Sequence, residues 1–252
     1  MIALLIGAIF IISMVLTMVG LGGGLIFSPL FLLLGYVKAE AASTSLFLNM
    51  LAAASAAYTY SRKKMVDYNL SIPLIVSSSA AAPIGSVMNV GLDPKPFLII
   101  MAVVLALAGI RMLVSPTREG EPSPMGRTGK IVGGIAIGAC IGFVGGLLGI
   151  GGGVFIVPLL IYGLKTPTKI AAASSTFIVC FSSLTGFLGY ASMAVINWWF
   201  VLPIAAASFT GGLIGARIMS SRVKGKTIRT LFSFILFALG AKLMHQALFL
   251  LP

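Results

Sequence analysis

Two glycine-proline blocks carry the groups best suited to chemistry in this chain. The first runs Gly20-Leu21-Gly22-Gly23-Gly24 and reaches Pro29-Leu30; the second runs Gly149-Ile150-Gly151-Gly152-Gly153 and reaches Pro158-Leu159. A glycine run of this kind stops one helix and lets another begin. The first N–H groups of the new helix have no intrahelical partner. That end carries roughly half a positive charge and attracts anions. Glycine also lets backbone donors approach a ligand with no Cβ in the way. Gly22, Gly23, Gly24, Gly151, Gly152 and Gly153 are therefore candidate anion ligands through their backbone. The competing reading is close helix packing, which small residues permit in membranes. The partial match to a dinucleotide fingerprint carries nothing, because no strand precedes either block.

Behind each block lies a hydroxyl cluster, Ser43-Thr44-Ser45 and Ser174-Ser175-Thr176. These could donate to sulfonate, sulfite or carboxylate oxygens, or could satisfy helix carbonyls and caps. Asn49, one turn further on, is an amide in an apolar run and needs partners; its counterpart in the second half is Cys180. Lys38 and Lys169 each stand five residues before a hydroxyl cluster. They could gate two mouths by drawing anions in, or snorkel to headgroups. No residue pattern supports a catalytic triad, a paired-carboxylate site or a metal cluster. Cys140 and Cys180 do not form a disulfide framework. The acids Glu40, Asp67 and Asp93 sit at the edges of apolar blocks, so a membrane-embedded carboxylate relay is hard to build. No catalytic residue, metal or cofactor is expected.

The elements that must position these groups are set by composition. Of 252 residues, 59% are hydrophobic and 9% charged, against about 25% charged in soluble domains. Mean hydropathy is +1.12. An integral membrane protein is expected, with the lipid bilayer as its main surroundings. The net charge of +12 then reads as basic loops against anionic headgroups rather than as a nucleic-acid surface. Residues 1–19 lack a basic n-region and a small-residue cleavage site, and read as part of the fold.

The chain aligns with itself. The two glycine-proline blocks match at an offset of 129 with six of eleven positions identical, and matches further on keep offsets of 130 and 131. This predicts a first membrane repeat at 1–114, a polar linker at 115–130 and a second repeat at 131–252. Each half reads as four apolar blocks: 1–35, 41–60, 70–91 and 97–114, then 131–163, 170–191, 196–218 and 227–250. Blocks 1–35 and 131–163 are too long for one span and too short for two. Interrupted helices at matching positions are the pattern of secondary transporters. If each long block dips in and returns, fourteen of the 17 cations gather on one side and Lys38, Lys95 and Lys242 remain on the other. If each crosses, the bias vanishes. The positive-inside rule selects the hairpin. The expected fold is thus an all-α polytopic membrane protein of two inverted repeats, each a broken-helix hairpin plus three transmembrane helices, with a cytoplasmic linker.

The glycine-proline blocks, with Ala41-Ala42-Ser43-Thr44-Ser45 and Ala172-Ala173-Ser174-Ser175-Thr176 behind them, resemble the repeated motif of the sulfite exporter TauE/SafE family over nearly the whole chain. That resemblance implies a multi-pass protein of the prokaryotic inner membrane. It also implies a small anionic substrate containing sulfur: sulfite, sulfoacetate or an organosulfonate. Direction of transport, coupling ion and oligomeric state are not implied. Two other readings stay open, an anion channel and a non-transporting assembly factor.

Overall fold

The computed structural model describes residues 2–22, 24–36, 38–88, 94–114, 126–148, 153–191 and 196–249. Every regular element among them is a helix: α1 (Ile2–Val19), α2 (Gly24–Leu33), α3 (Lys38–Arg62), α4 (Tyr68–Met88), α5 (Pro94–Val114), α6 (Arg127–Leu148), α7 (Gly153–Tyr162), α8 (Thr168–Ala191), α9 (Trp198–Ser221) and α10 (Gly225–Phe249). The block 1–35 splits at its glycines into α1 and α2, and 131–163 yields α6 and α7. Each of the other six blocks is one helix. Helix α6 starts at Arg127, four residues before the expected boundary, with the Gly126 carbonyl accepting the Lys130 N–H at 3.1 Å. The end of the expected linker is therefore the first turn of a helix; residues 115–125 lie outside the described residues.

Helix α1 and the stretches Thr168–Leu188, Trp198–Ser221 and Gly225–His245 are long and apolar enough to cross a membrane. Helices α2 and α7 have ten residues each, which span only about 15 Å, half of a hydrocarbon core of about 30 Å.

Helix directions can be read from the glycines on which neighbours pack. Gly134, Gly138 and Gly142 of α6 face Leu70, Leu74 and Ser78 of α4 in rising order, so these two helices are parallel. Gly211 and Gly215 of α9 face the backbone of Phe10 and Met14 in α1. Gly212 faces Ala52 of α3, and Ser208 donates to the Leu48 carbonyl at 2.9 Å. Helices α1, α3 and α9 thus run together. Helix α8 runs the other way past α3, with Asn49 on Ser183 and Leu46 on Gly186. Helices α5 and α10 are also antiparallel: Gly109 faces Phe237, and Gly240 faces Ala102. Such contacts bring backbones together, which drives helix association where the lipid is as apolar as the side chains.

Most of the buried hydroxyls bond across helices or back to carbonyls, which a medium without water favours. Ser13 and Ser208 share a bond of 2.9 Å. Ser55 donates to the Phe209 carbonyl at 2.8 Å, and the Tyr60 hydroxyl to the Thr17 carbonyl at 3.0 Å.

One end of the bundle collects charge. There Lys63 donates to Ser220 at 2.7 Å, and Lys130 pairs with Asp67 at 2.5 Å. The Asp67 N–H donates to Ser174 at 3.0 Å. Arg229, buried in the first turns of α10, donates to the Tyr162 hydroxyl at 3.0 Å and the Arg111 carbonyl at 3.4 Å. These acceptors lie at the C-terminal ends of α5 and α7, the negative ends of their dipoles. The Arg111 guanidinium lies 4.9 Å from the centre of the Tyr162 ring.

Candidate functional site: the broken helices at the α3–α8 crossing

The first break turns the chain around inside the bundle. Gly20 has φ +90° and Gly22 φ +67°, left-handed values that cost other residues about 1–2 kcal/mol. A Cβ on Gly20 would lie 2.7 Å from the Ala172 carbonyl oxygen and 3.1 Å from Val157. A Cβ on Gly22 would overlap Asn49 Oδ1 and lie 3.2 Å from Val179. Ala172 and Val179 are on the same helix, seven residues and about 10 Å apart. Between Gly20 and Gly22 the chain therefore doubles back along α8. Helix α2 begins two residues later, at the level where α3 crosses α8.

The second broken helix meets the first. Leu21 and the opening turns of α7, Val154 and Val157, share one buried cluster with Leu16, Val19 and Ala172. The beginning of α7 thus packs on the break that follows α1. At the crossing, Asn49 Nδ2 donates to Ser183 Oγ at 2.6 Å. Both are buried, with 6% and 3% of their surface exposed.

The expected site residues fall in different parts of this arrangement. Gly22 and Asn49 are brought together at the crossing, and Gly24 and Gly153 are the first residues of α2 and α7. Gly23, Gly151 and Gly152 lie outside the described residues. The hydroxyls of the second cluster have protein partners. Ser175 donates to the Gly20 carbonyl at 2.6 Å, and Thr176 to its own helix at Ala172, 2.9 Å away. Ser174 accepts the Asp67 N–H at the start of α4. Ser175 therefore braces the break itself, and its proton is not available to a ligand in this arrangement. Ser43, Thr44 and Ser45 are buried in α3, and Ser43 Oγ has no hydrogen-bond partner among the described residues. Lys38 opens α3 and Lys169 lies in the first turn of α8. Because α3 and α8 are antiparallel, these lysines stand at opposite ends of the pair.

Sequence reading missed Ser183. It stands in an apolar stretch beside Ser182, a signal of intramembrane polarity, but its pairing with Asn49 depends on the crossing angle and register of two distant helices. Among the described residues, no group of three or more His, Cys, Asp or Glu could hold a metal ion.

Comparison with known proteins identifies the family. The family described as "Sulfite exporter TauE/SafE" matches residues 5–243. The chain is similar to the probable membrane transporter protein YunE of Bacillus subtilis, 26% identical over 92% of this chain and 93% of that protein. It is 25% identical to the probable membrane transporter protein y4hK of Sinorhizobium fredii, over 94% of this chain and 96% of that one. A partial likeness, 33% identical over 41% of this chain and 17% of the relative, links it to the probable membrane transporter protein MamO of Paramagnetospirillum magneticum. No solved structure matches. With a family match that runs through both broken helices and nearly to the end of α10, the chain belongs to the sulfite exporter TauE/SafE family.

Proposed function

We propose that this chain is a secondary transporter of a small sulfur-containing anion, working by alternating access in the prokaryotic inner membrane. Its halves, 1–114 and 131–252, are inverted repeats joined through the 115–130 segment. The directions of the helices support this. With the short turns between them, α1 and α3 run one way and their counterparts α6 and α8 the other; α4 and α5 likewise oppose α9 and α10. The aromatic packing supports it too. Phe47 meets Trp198 edge-on with centroids 5.4 Å apart, and Phe177, one position before the counterpart of Phe47, meets Tyr68 at 5.4 Å. The charged end, with Lys63, Arg111, Lys130 and Arg229, is the cytoplasmic one by the positive-inside rule.

The observation that carries the reading is the meeting of the two broken helices at the α3–α8 crossing. Two helix beginnings inside a membrane need polar company, and their combined positive ends can hold an anion without a buried cation. Gly22, Gly23 and Gly24 with Gly151, Gly152 and Gly153 lend backbone donors. Asn49 lends its amide, and Ser43, Thr44, Ser45, Ser174, Ser175 and Thr176 shape the surrounding wall. Lys38 and Lys169 act as gates, each concentrating anions at its own mouth. Rocking of one repeat against the other exposes the site to each side in turn.

The test is flux in proteoliposomes. Labelled sulfite and a labelled sulfonate should enter with saturation, and unlabelled substrate on the far side should accelerate entry by exchange. A flux that neither saturates nor exchanges would indicate a channel. An absence of flux from correctly folded protein, for every sulfur anion tried, would leave the assembly-factor reading.

A further inference from the structure

The two halves carry corresponding hydroxyls, but these are not bonded alike. Where the chain aligns with itself, Asp67 corresponds to Asn197 and Ser78 to Ser208 at an offset of 130, and Ser43 to Ser174 and Leu48 to Val179 at an offset of 131. Asp67 and Asn197 directly precede α4 and α9. Ser174 Oγ, buried in α8, accepts the Asp67 N–H at 3.0 Å. Its counterpart Ser43 Oγ is as fully buried in α3, yet has no hydrogen-bond partner among the described residues. The matching bond from the Asn197 N–H is therefore unmade. Ser208 of α9 donates to the Leu48 carbonyl of α3 at 2.9 Å. Its counterpart Ser78 of α4 donates within its own helix, to the Ile75 carbonyl at 3.1 Å. Val179 of α8 is nonetheless close to α4, in one buried cluster with Leu74.

The terminal contacts differ in the same sense. The Asp67–Ser174 bond ties α4 to α8 at the charged end of the bundle. There Lys130 also pairs with Asp67 at 2.5 Å, and Lys63 of α3 reaches Ser220 of α9 at 2.7 Å. Ser43 and Asn197 lie toward the opposite end, near the starts of α3 and α9. A buried hydroxyl without a partner carries a desolvation penalty that nothing repays, and such groups are few in native proteins. Ser43 carries that penalty in the arrangement where its counterpart does not.

We propose that Ser43 Oγ and the Asn197 N–H are the two halves of an outer gate, held apart in this cytoplasm-closed arrangement and joined when the protein opens to the cytoplasm. This rests on the inverted-repeat transporter reading above and assigns its gating contacts. When one repeat rocks against the other, each half takes up the packing its counterpart had. The Asn197 N–H then donates to Ser43, and Ser78 turns from Ile75 to the Val179 carbonyl. In exchange the Asp67 N–H leaves Ser174, and Ser208 turns back to a carbonyl of its own helix, as serine hydroxyls readily do. One buried bond forms for each that breaks. The two states therefore stay close enough in free energy for both to be populated.

The test measures the separation of α3 and α9 at their charged ends. Spin labels go on Arg62→Cys and Ser221→Cys, both exposed, in the full chain with Cys140 and Cys180 replaced. Distances are read by pulsed electron resonance in liposomes without substrate, with thermal stability followed beside them. A short and a long distance should coexist. Ser43→Ala removes a bond that only the cytoplasm-open state makes, so it should raise the ratio of short to long by about three- to tenfold. Ser174→Ala removes a bond that only the cytoplasm-closed state makes, so it should lower the ratio by a similar factor. The double variant should return close to the unsubstituted ratio. A ratio unmoved by Ser43→Ala, or a single distance in all four proteins, would overturn the gate, and a stability change alone would leave Ser43 as packing. Saturable, exchanging sulfite flux with an unmoved ratio would remove the gate and keep the transporter. The expected shifts without flux of any sulfur anion would keep the two-state gate and remove the transporter reading.

Discussion

Replacing Gly22 by alanine should show how tightly the break is fitted to Asn49. Two costs apply. The residue holds φ +67°, where an alanine loses about 1–2 kcal/mol. Its Cβ would also overlap Asn49 Oδ1 and press on Asn49 Cγ at 3.0 Å and Val179 at 3.2 Å, an overpacking that typically costs about 1–3 kcal/mol. The sum is about 2–5 kcal/mol. Gly35 supplies the control. It has φ +88° and nothing within 4 Å of an added Cβ, so Gly35→Ala should cost only the backbone share of about 1–2 kcal/mol. The excess of the first variant over the second isolates the collision. Adding Asn49→Ala should relieve it, giving a coupling of about 1–3 kcal/mol between positions 22 and 49 in a double-mutant cycle. The assay is equilibrium unfolding in mixed micelles, with sulfonate binding measured on each folded variant. Equal losses in Gly22→Ala and Gly35→Ala, or additive effects of the changes at 22 and 49, would refute the close approach.

Other outcomes follow from the same structure. Gly212→Leu should separate α9 from the Ala52 backbone and destabilise by about 1–3 kcal/mol or more, whereas Ile214→Leu, on the exposed face of the same helix, should change stability by less than about 0.5 kcal/mol; unfolding midpoints check both. Lys64→Gly should stabilise by about 1 kcal/mol, because Lys64 holds φ 54° just past the end of α3; the same unfolding assay reads it. Lys38→Gln should slow anion entry from the outside and Lys169→Gln entry from the inside, and both defects should shrink as inert salt is added. Transport in oriented vesicles at low and high salt measures this, and equal, salt-independent effects would leave both lysines as lipid anchors.

Much of this fold was legible in the sequence because a bilayer imposes lengths and glycine imposes breaks. The length anomaly of 1–35 anticipated α1 and α2, and the break falls at the glycines named from the sequence. Helix α6 opens at Arg127, four residues ahead of the apolar block 131–163, because basic side chains at a membrane boundary suit a helix end as well as a linker. The hydroxyl clusters divided in a way composition could not reveal. Ser175 braces the Gly20 carbonyl and Ser174 supports the start of α4, roles fixed by which helix happens to lie opposite. Ser183 was invisible for the same reason: its partner Asn49 is 134 positions away, and only the antiparallel register of α3 and α8 joins them.

The account stands or falls on whether the chain turns back within the membrane. In a variant lacking Cys140 and Cys180, single cysteines at positions 35, 65, 163 and 222 are labelled in intact cells with a membrane-impermeant thiol reagent, before and after permeabilisation. The hairpin arrangement predicts that position 35 is labelled from outside, and that 65, 163 and 222 are labelled only after permeabilisation. Opposite sides for positions 65 and 222 would mean that the broken helices cross the membrane and that the halves are not inverted.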